Sequence, residues 1–237
     1  MIVDERIITF INSLDTKNSE ILEDIEREAL ADNVPIIRRE MQSFLKVLLM
    51  VKKPMRVLEV GTAVGFSALL MSEYVPEECA ITTIENYEKR IPIARQNFVR
   101  AGKEKKITLL EGDAMDVLKT LEGPYDFIFM DAAKGQYIHY LPEILRLLAK
   151  GGILVSDNVM QDGDVIESRF AVERRDRTIH ARMREYLYEL KHNDALVTSI
   201  IPLGDGVALS VEKGSRNGHC AVKRKIISRH KNRKKKK

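Results

Sequence analysis

Five apolar runs along this chain each lead into an acid or an amide. Glu59 and Gly61-Thr62-Ala63-Val64-Gly65 close the first, and Glu85 closes the second. Glu111-Gly112-Asp113-Ala114 follows the third, Asp131 the fourth, and Asp157-Asn158 the fifth. A carboxylate such as Glu85 can accept both hydroxyls of a ribose, and an acid beside the small Ala114 leaves room for a purine. Any one of these residues has an ordinary explanation, because Asp and Asn favour loops and helix caps. Their recurrence after five successive runs points to one ligand-binding rim.

The glycine loop in RVLEVGTAVGFSALLMSEYV, residues 56–75, narrows the ligand. No lysine follows Gly65, so the phosphate-cradling G-x-x-x-x-G-K-[ST] pattern is excluded, and the spacing does not fit G-x-G-x-x-G. Glu59 at the end of the run would repel a pyrophosphate. A nucleoside-containing ligand with a cationic or zwitterionic end suits the loop better.

The elements that must position these residues alternate. Strands are expected at 56–60, 80–85, 106–110, 125–130 and 151–156, with helices near 65–75, 87–101, 114–121 and 138–149. A long polar helix near 175–192 precedes two more strands, near 195–201 and 206–212. Pro202-Leu203-Gly204-Asp205-Gly206 joins these two as an edge hairpin. The first 53 residues read as a helical segment. Ser19 is expected to cap a helix over Glu20–Ala31 with Ile21, Leu22, Ile25 and Leu30 as its apolar stripe, and Pro35 separates it from a helix over 39–50. The fold class is therefore α/β, a mostly parallel seven-stranded sheet with an antiparallel edge hairpin and helices on both faces. In such sheets ligands sit outside the carboxyl ends of the strands, where the five acidic and amide positions fall.

Charge divides the chain in two. It has 237 residues, 39 of them basic and 35 acidic, and residues 213–237 contain 12 Lys and Arg and no acid. Residues 1–212 thus carry 27 basic and 35 acidic side chains, a net −8. We expect a single domain over 1–212 and a basic, disordered tail over 213–237 with an attraction for polyphosphate, RNA above all. No window approaches the roughly 18 to 20 apolar residues of a membrane span. Residues 1–6 show no signal-peptide pattern, and Cys79 and Cys220 are not in C-x-x-C spacing, so a reducing cytoplasmic setting is expected.

Taken together, Glu59-Val60-Gly61-Thr62, Gly65-Phe66-Ser67-Ala68, Glu85, Asp131-Ala132-Ala133-Lys134 and Asp157-Asn158 resemble the metal-dependent O-methyltransferases of the catechol and caffeoyl-CoA type. The resemblance covers about residues 35–212. It implies a Rossmann-like methyltransferase fold and S-adenosylmethionine as the ligand of the glycine loop. The methionine end would lie near Met41, Gly61 and Ser67, with Glu59 and Asp131 close by, the ribose on Glu85, and the adenine by Asp113 and Ala114. Many adenosylmethionine-dependent enzymes have a glycine where Ala63 stands, a departure this family tolerates. Asp131, Asp157 and Asn158 offer hard oxygen donors suited to Mg²⁺, Mn²⁺ or Ca²⁺. Lys134 matches the family's catalytic lysine, which with Asp131 forms the catalytic pair. None of the five histidines has metal-ligand spacing.

A cation bound through two neighbouring substrate oxygens selects vicinal oxygen donors, such as a catechol or the O4 and O5 of 5-hydroxyuridine. Within the resemblance the chain is most similar to bacterial tRNA 5-hydroxyuridine methyltransferases, which act at the wobble position of the anticodon loop. The features weighed are the short N-terminal segment, the candidate substrate residues Arg38 and Arg39, and the basic tail. A small phenol is the alternative acceptor. A non-catalytic RNA-binding module is the alternative of a different class, and the complete Asp131, Lys134, Asp157 and Asn158 set argues against it. The family also implies a homodimer.

Overall fold

A computed structural model describes residues 2–214 of the chain. Residues 215–237, which hold most of the expected basic tail and Cys220, lie outside the described residues. The strands are β1 Arg56–Val60, β2 Ala80–Glu85, β3 Ile107–Glu111, β4 Tyr125–Met130, β5 Leu148–Ser156, β6 Leu196–Ile201 and β7 Val207–Glu212. They form one sheet in the order β3-β2-β1-β4-β5-β7-β6. The first five run parallel, and β7 lies antiparallel to both β5 and β6. This is the expected mixed sheet with its edge hairpin.

Among the described residues there are eight α-helices: α1 Glu5–Ser13, α2 Glu20–Ala31, α3 Arg39–Lys52, α4 Phe66–Tyr74, α5 Ile91–Arg100, α6 Ala114–Thr120, α7 Tyr137–Leu147 and α8 Arg177–His192. Successive strand side chains point to opposite faces, so each strand feeds two cores. Val57, Phe127, Phe129, Ile153 and Val155 join Ile25 of α2, Leu45 of α3, Leu69 of α4 and Phe98 of α5. Leu58, Val60, Ile128, Met130 and Leu154 pack instead on Leu118 of α6, Ile144 of α7 and Tyr186 of α8. Strands buried on both faces account for the near-continuous apolar runs in the sequence.

Three local readings are corrected. Ser19 occupies the N-cap of α2, but its hydroxyl donates to Glu73 and makes no capping bond. Leu30 is exposed, because Leu22, Ile25 and Ala29 already define the inward face at three- and four-residue steps. Strand β5 begins at Leu148 rather than 151, since Leu148 pairs with Tyr125 as soon as α7 ends. Among the described residues no helix is long and apolar enough to cross a membrane.

Candidate active site

Strand register builds the rim. Ile84, Val60, Met130 and Ser156 stand side by side on β2, β1, β4 and β5. The next residues, Glu85, Gly61, Asp131 and Asp157, therefore leave the sheet in one row. At about 4.8 Å per strand, Glu85 and Asp157 are roughly 14 Å apart. Backbone bonds continue the row: Gly61 N–H donates to Ile84 O (3.1 Å), Asp131 N–H to Val60 O (3.0 Å) and Asp157 N–H to Met130 O (2.9 Å). The fully buried Tyr137 ties two strand ends together. Its hydroxyl accepts from Ala132 N–H (3.2 Å) and donates to the carbonyl of Met130 (3.0 Å) or Asp157 (3.2 Å).

A cleft of about 560 Å³ opens over this row and is lined by Met41, Gly61, Ser67, Glu85, Ala114, Asp131, Lys134, Asp157 and Asn158. That volume suits a nucleoside-sized ligand together with a small acceptor. Gly61 has φ +102°, and a Cβ there would sit 2.1 Å from the carbonyl oxygen of Asp131, so only glycine lets β1 and β4 close at this end. Ala63 also has a positive φ, +47°, without being glycine. Its N–H donates to Glu85 Oε2 (2.7 Å), which holds the loop in place. Because a left-handed alanine costs about 1 to 2 kcal/mol and glycine gives back part of that in unfolded-chain entropy, Ala63→Gly is expected to stabilise the protein by up to about 1 kcal/mol. Thermal melts would show this as a rise of about 2 to 4 °C; an unchanged or lower Tm would mean the loop is not strained.

Glu85 is held more tightly than its sequence suggests. Besides Ala63 N–H, its Oε1 accepts from Asn86 N–H (3.0 Å) and Tyr87 N–H (2.8 Å). A carboxylate offers about four acceptor positions. With three in use, this loop conformation leaves room for one ligand hydroxyl rather than two.

At the other end of the cleft the chemistry is anionic. Burial pushes the Asp157 carboxyl up to about 7, and the neighbouring charge of Asp131 adds to the effect. Asp131 is likewise raised by burial, with Lys134 pulling it back. Two desolvated carboxylates that repel each other, with the Asn158 amide alongside, are a donor set that fits a hard divalent cation. Among the described residues no group of three or more His, Cys, Asp or Glu is placed to hold a metal. Lys134 opens a short 3-10 segment, Lys134–Gln136, and its charge acts on Asp131, Asp157 and Asp205.

An O-methyltransferase family model matches residues 12–213. The chain belongs to the O-methyltransferase family. It is 33% identical to caffeoyl-CoA O-methyltransferase 2 of Populus trichocarpa over 183 residues, covering 70% of each chain. Over 128 residues it is 35% identical to a catechol O-methyltransferase of Niastella koreensis, a match that spans 52% of this chain and 58% of the other. The crystal structure of an SAH-bound methyltransferase from Podospora anserina superimposes with a TM-score of 0.80 at 27% identity, covering 88% of this chain and 94% of that one.

Within this O-methyltransferase, three expected site residues do not line the cleft. Glu59 has no exposed surface and shares the inward face of β1 with Val57. It accepts from the hydroxyls of Ser67 and Thr83, and burial drives its carboxyl up to about 7 against those two donors. It supports Ser67 from beneath the loop. Asp113 caps α6, accepting from Met115 N–H (2.8 Å), while Gly112 and Ala114 face the cleft. Arg38 lies on the exposed rim, whereas Arg39 turns away to Glu26 (2.9 Å) and Glu23 (3.5 Å). A network around Glu26 explains this. Gln42 donates to Glu26 (3.1 Å) and to Ile37 O (3.1 Å), which fixes the 35–38 segment along the cleft wall.

Sequence reasoning missed Tyr87, Arg90, Tyr140, Asp162 and Asp205, which also line the cleft. Tyr87 and Arg90 follow Glu85 closely enough for the strand-end rule to have reached them. Asp205 comes from the hairpin turn, which no parallel-strand rule covers. Its carboxylate accepts from Asp162 N–H, joining the turn to the segment after Asn158.

Proposed function

We propose that the protein is a divalent-cation-dependent O-methyltransferase that uses S-adenosylmethionine to methylate 5-hydroxyuridine at the wobble position of the tRNA anticodon loop. The observation that carries this reading is the single row of Glu85, Gly61, Asp131 and Asp157, which sets a ribose acceptor at one end of the cleft and hard oxygen donors at the other. S-adenosylmethionine supplies an electrophilic methyl group. A divalent cation, when held by Asp131, Asp157 and Asn158, supplies Lewis acidity at the acceptor end.

The chain's own residues do the rest. Glu85 holds a ribose hydroxyl, and Met41, Gly61 and Ser67 surround the methionine end. Buried Met41 and Phe66 keep water from the wall between. Lys134, with Nζ in its neutral amine form, receives the acceptor's hydroxyl proton and becomes the ammonium, leaving the oxygen anionic for attack.

Two features favour tRNA. Arg38 stands exposed on the rim, where it can meet a phosphate. Residues 213–237 carry 12 Lys and Arg and no acid. A polyphosphate acceptor is the class of substrate that such a charge attracts. A second reading, a small catechol or caffeoyl-type phenol, is favoured by the names of the relatives. We also infer a homodimer. Ile7, Phe10 and Ile11 of α1 and its C-cap Leu14 form an exposed stripe at helical spacing, and Val47, Met50 and Val51 form another on α3.

Purified protein with S-adenosylmethionine and Mg²⁺ is expected to convert 5-hydroxyuridine in tRNA to 5-methoxyuridine, read by nucleoside mass spectrometry. The expected kcat/KM is at least about a hundredfold above that for a small catechol, because binding energy from remote contacts is lost on a fragment. A preference for the catechol would move the assignment to small phenols.

A further inference from the structure

Between Asp162, which lines the cleft, and α8 the chain makes a tight turn at Ser168–Ala171, where Ala171 N–H donates to Ser168 O (3.0 Å). Arg169 and Phe170 occupy its tip. Phe170 is 87% exposed, the most exposed of the large apolar side chains among the described residues. The turn is pinned on both sides. Arg184 Nη1 donates to Val165 O (2.8 Å), His180 Nε2 meets Glu167 O (3.2 Å), and Arg177 Nε donates to Val172 O (3.2 Å). Val165 and Val172 are themselves buried. The ring is therefore displayed on a fixed support, which lowers the ordering cost of a contact made through it.

The turn belongs to the acceptor end of the cleft. Its segment leaves from Asp162, and α8 returns to that end through Arg182 Nη1, which donates to Gly135 O (3.1 Å) beside Lys134. Arg175 is paired with Glu173 (3.0 Å) and Asp176 (3.4 Å). Arg169 and Arg174 are exposed and make no ion pair among the described residues, while Asp164 and Glu167 are the acids on the N-terminal side of the tip. An exposed ring flanked by available guanidinium groups is the combination that binds a single strand of nucleic acid, the ring stacking on a base and the cations meeting its phosphates. An acceptor small enough to lie wholly inside the cleft has no use for it.

We propose that the Arg169–Phe170 turn docks the RNA loop that carries the methyl acceptor, with Phe170 stacked on an unpaired base near the target and Arg169 and Arg174 on the flanking phosphates. This rests on the tRNA reading above. The test uses the full chain and an anticodon stem-loop RNA with 2-aminopurine beside the target uridine. Phe170→Ala is expected to weaken stem-loop binding about tenfold and to abolish the quenching of 2-aminopurine that stacking causes. Phe170→Trp is expected to restore both, to within about twofold of the parent in affinity. S-adenosylmethionine affinity, measured by calorimetry, shows that each variant is folded. If the parent methylates 5-hydroxyuridine in tRNA but Phe170→Ala binds and quenches as the parent does, the docking role is overturned and the tRNA reading stands. If the parent neither binds nor methylates the RNA, both fall. A changed oligomeric state in Phe170→Ala, with RNA affinity intact, would assign the ring to protein contact and also overturn the proposal.

Discussion

Asp157→Ala is expected to lower methyl transfer by about three orders of magnitude while leaving S-adenosylmethionine binding near that of the parent. The basis is the donor set at one end of the cleft: two desolvated carboxylates and an amide that fit a divalent cation. Cation-based stabilisation of an oxyanion is worth several kcal/mol, which converts to a rate loss of roughly that size. Excess EDTA should reproduce the loss in the parent, and Mg²⁺ or Mn²⁺ should reverse it. A stability measurement separates this role from a structural one. Alanine relieves the burial of Asp157 beside the like charge of Asp131 but removes the acceptor of Asn158 N–H (2.7 Å), so the two effects oppose and only a small Tm change is expected in the metal-free protein at neutral pH. Mg²⁺ at about 100 times its Kd should add about 2.7 kcal/mol to the parent and nothing to the variant. Full activity in EDTA would refute the cation's part in the reaction.

The second large effect is expected at Glu85. Glu85→Ala removes a charge-assisted bond to the ligand worth about 1.5 to 3 kcal/mol, and it leaves the amides of Ala63, Asn86 and Tyr87 without their acceptor. The affinity for S-adenosylmethionine, measured by calorimetry, should fall by about a hundredfold. Glutamine is not expected to rescue it. Its NH₂ would face either Ala63 N–H or the Asn86 and Tyr87 pair, donor against donor. An affinity within about twofold of the parent in Glu85→Ala would show that Glu85 serves the loop alone.

These two residues were legible in the sequence for a physical reason. Parallel strands buried on both faces read as apolar runs, and the first polar residue after each run stands at the carboxyl end, where ligands bind. Glu85, Asp131 and Asp157-Asn158 are found by that rule, and the glycine loop by its φ requirement at Gly61. The alternation of strands with helices, together with the antiparallel hairpin, was readable from periodicity and turn composition in the same way.

Other features depend on contacts that no local pattern encodes. Glu59 reads as a rim acid because it is charged, yet it shares a face with Val57 and ends beneath α4, on Ser67 and Thr83. Arg38 and Arg39 are adjacent and alike in sequence. The ion pair with Glu26 on α2 turns one of them away from the cleft and leaves the other on the rim. Asp205 enters the cleft because β7 inserts between β5 and β6, which brings the hairpin turn to the carboxyl end of β5. The same insertion sends Glu212 and Lys213 to the opposite end of the sheet. Residue type and spacing determine which side chains can do chemistry and which segments form strands and helices. Strand order and direction, set by long-range pairing, decide which of those side chains meet in one cleft.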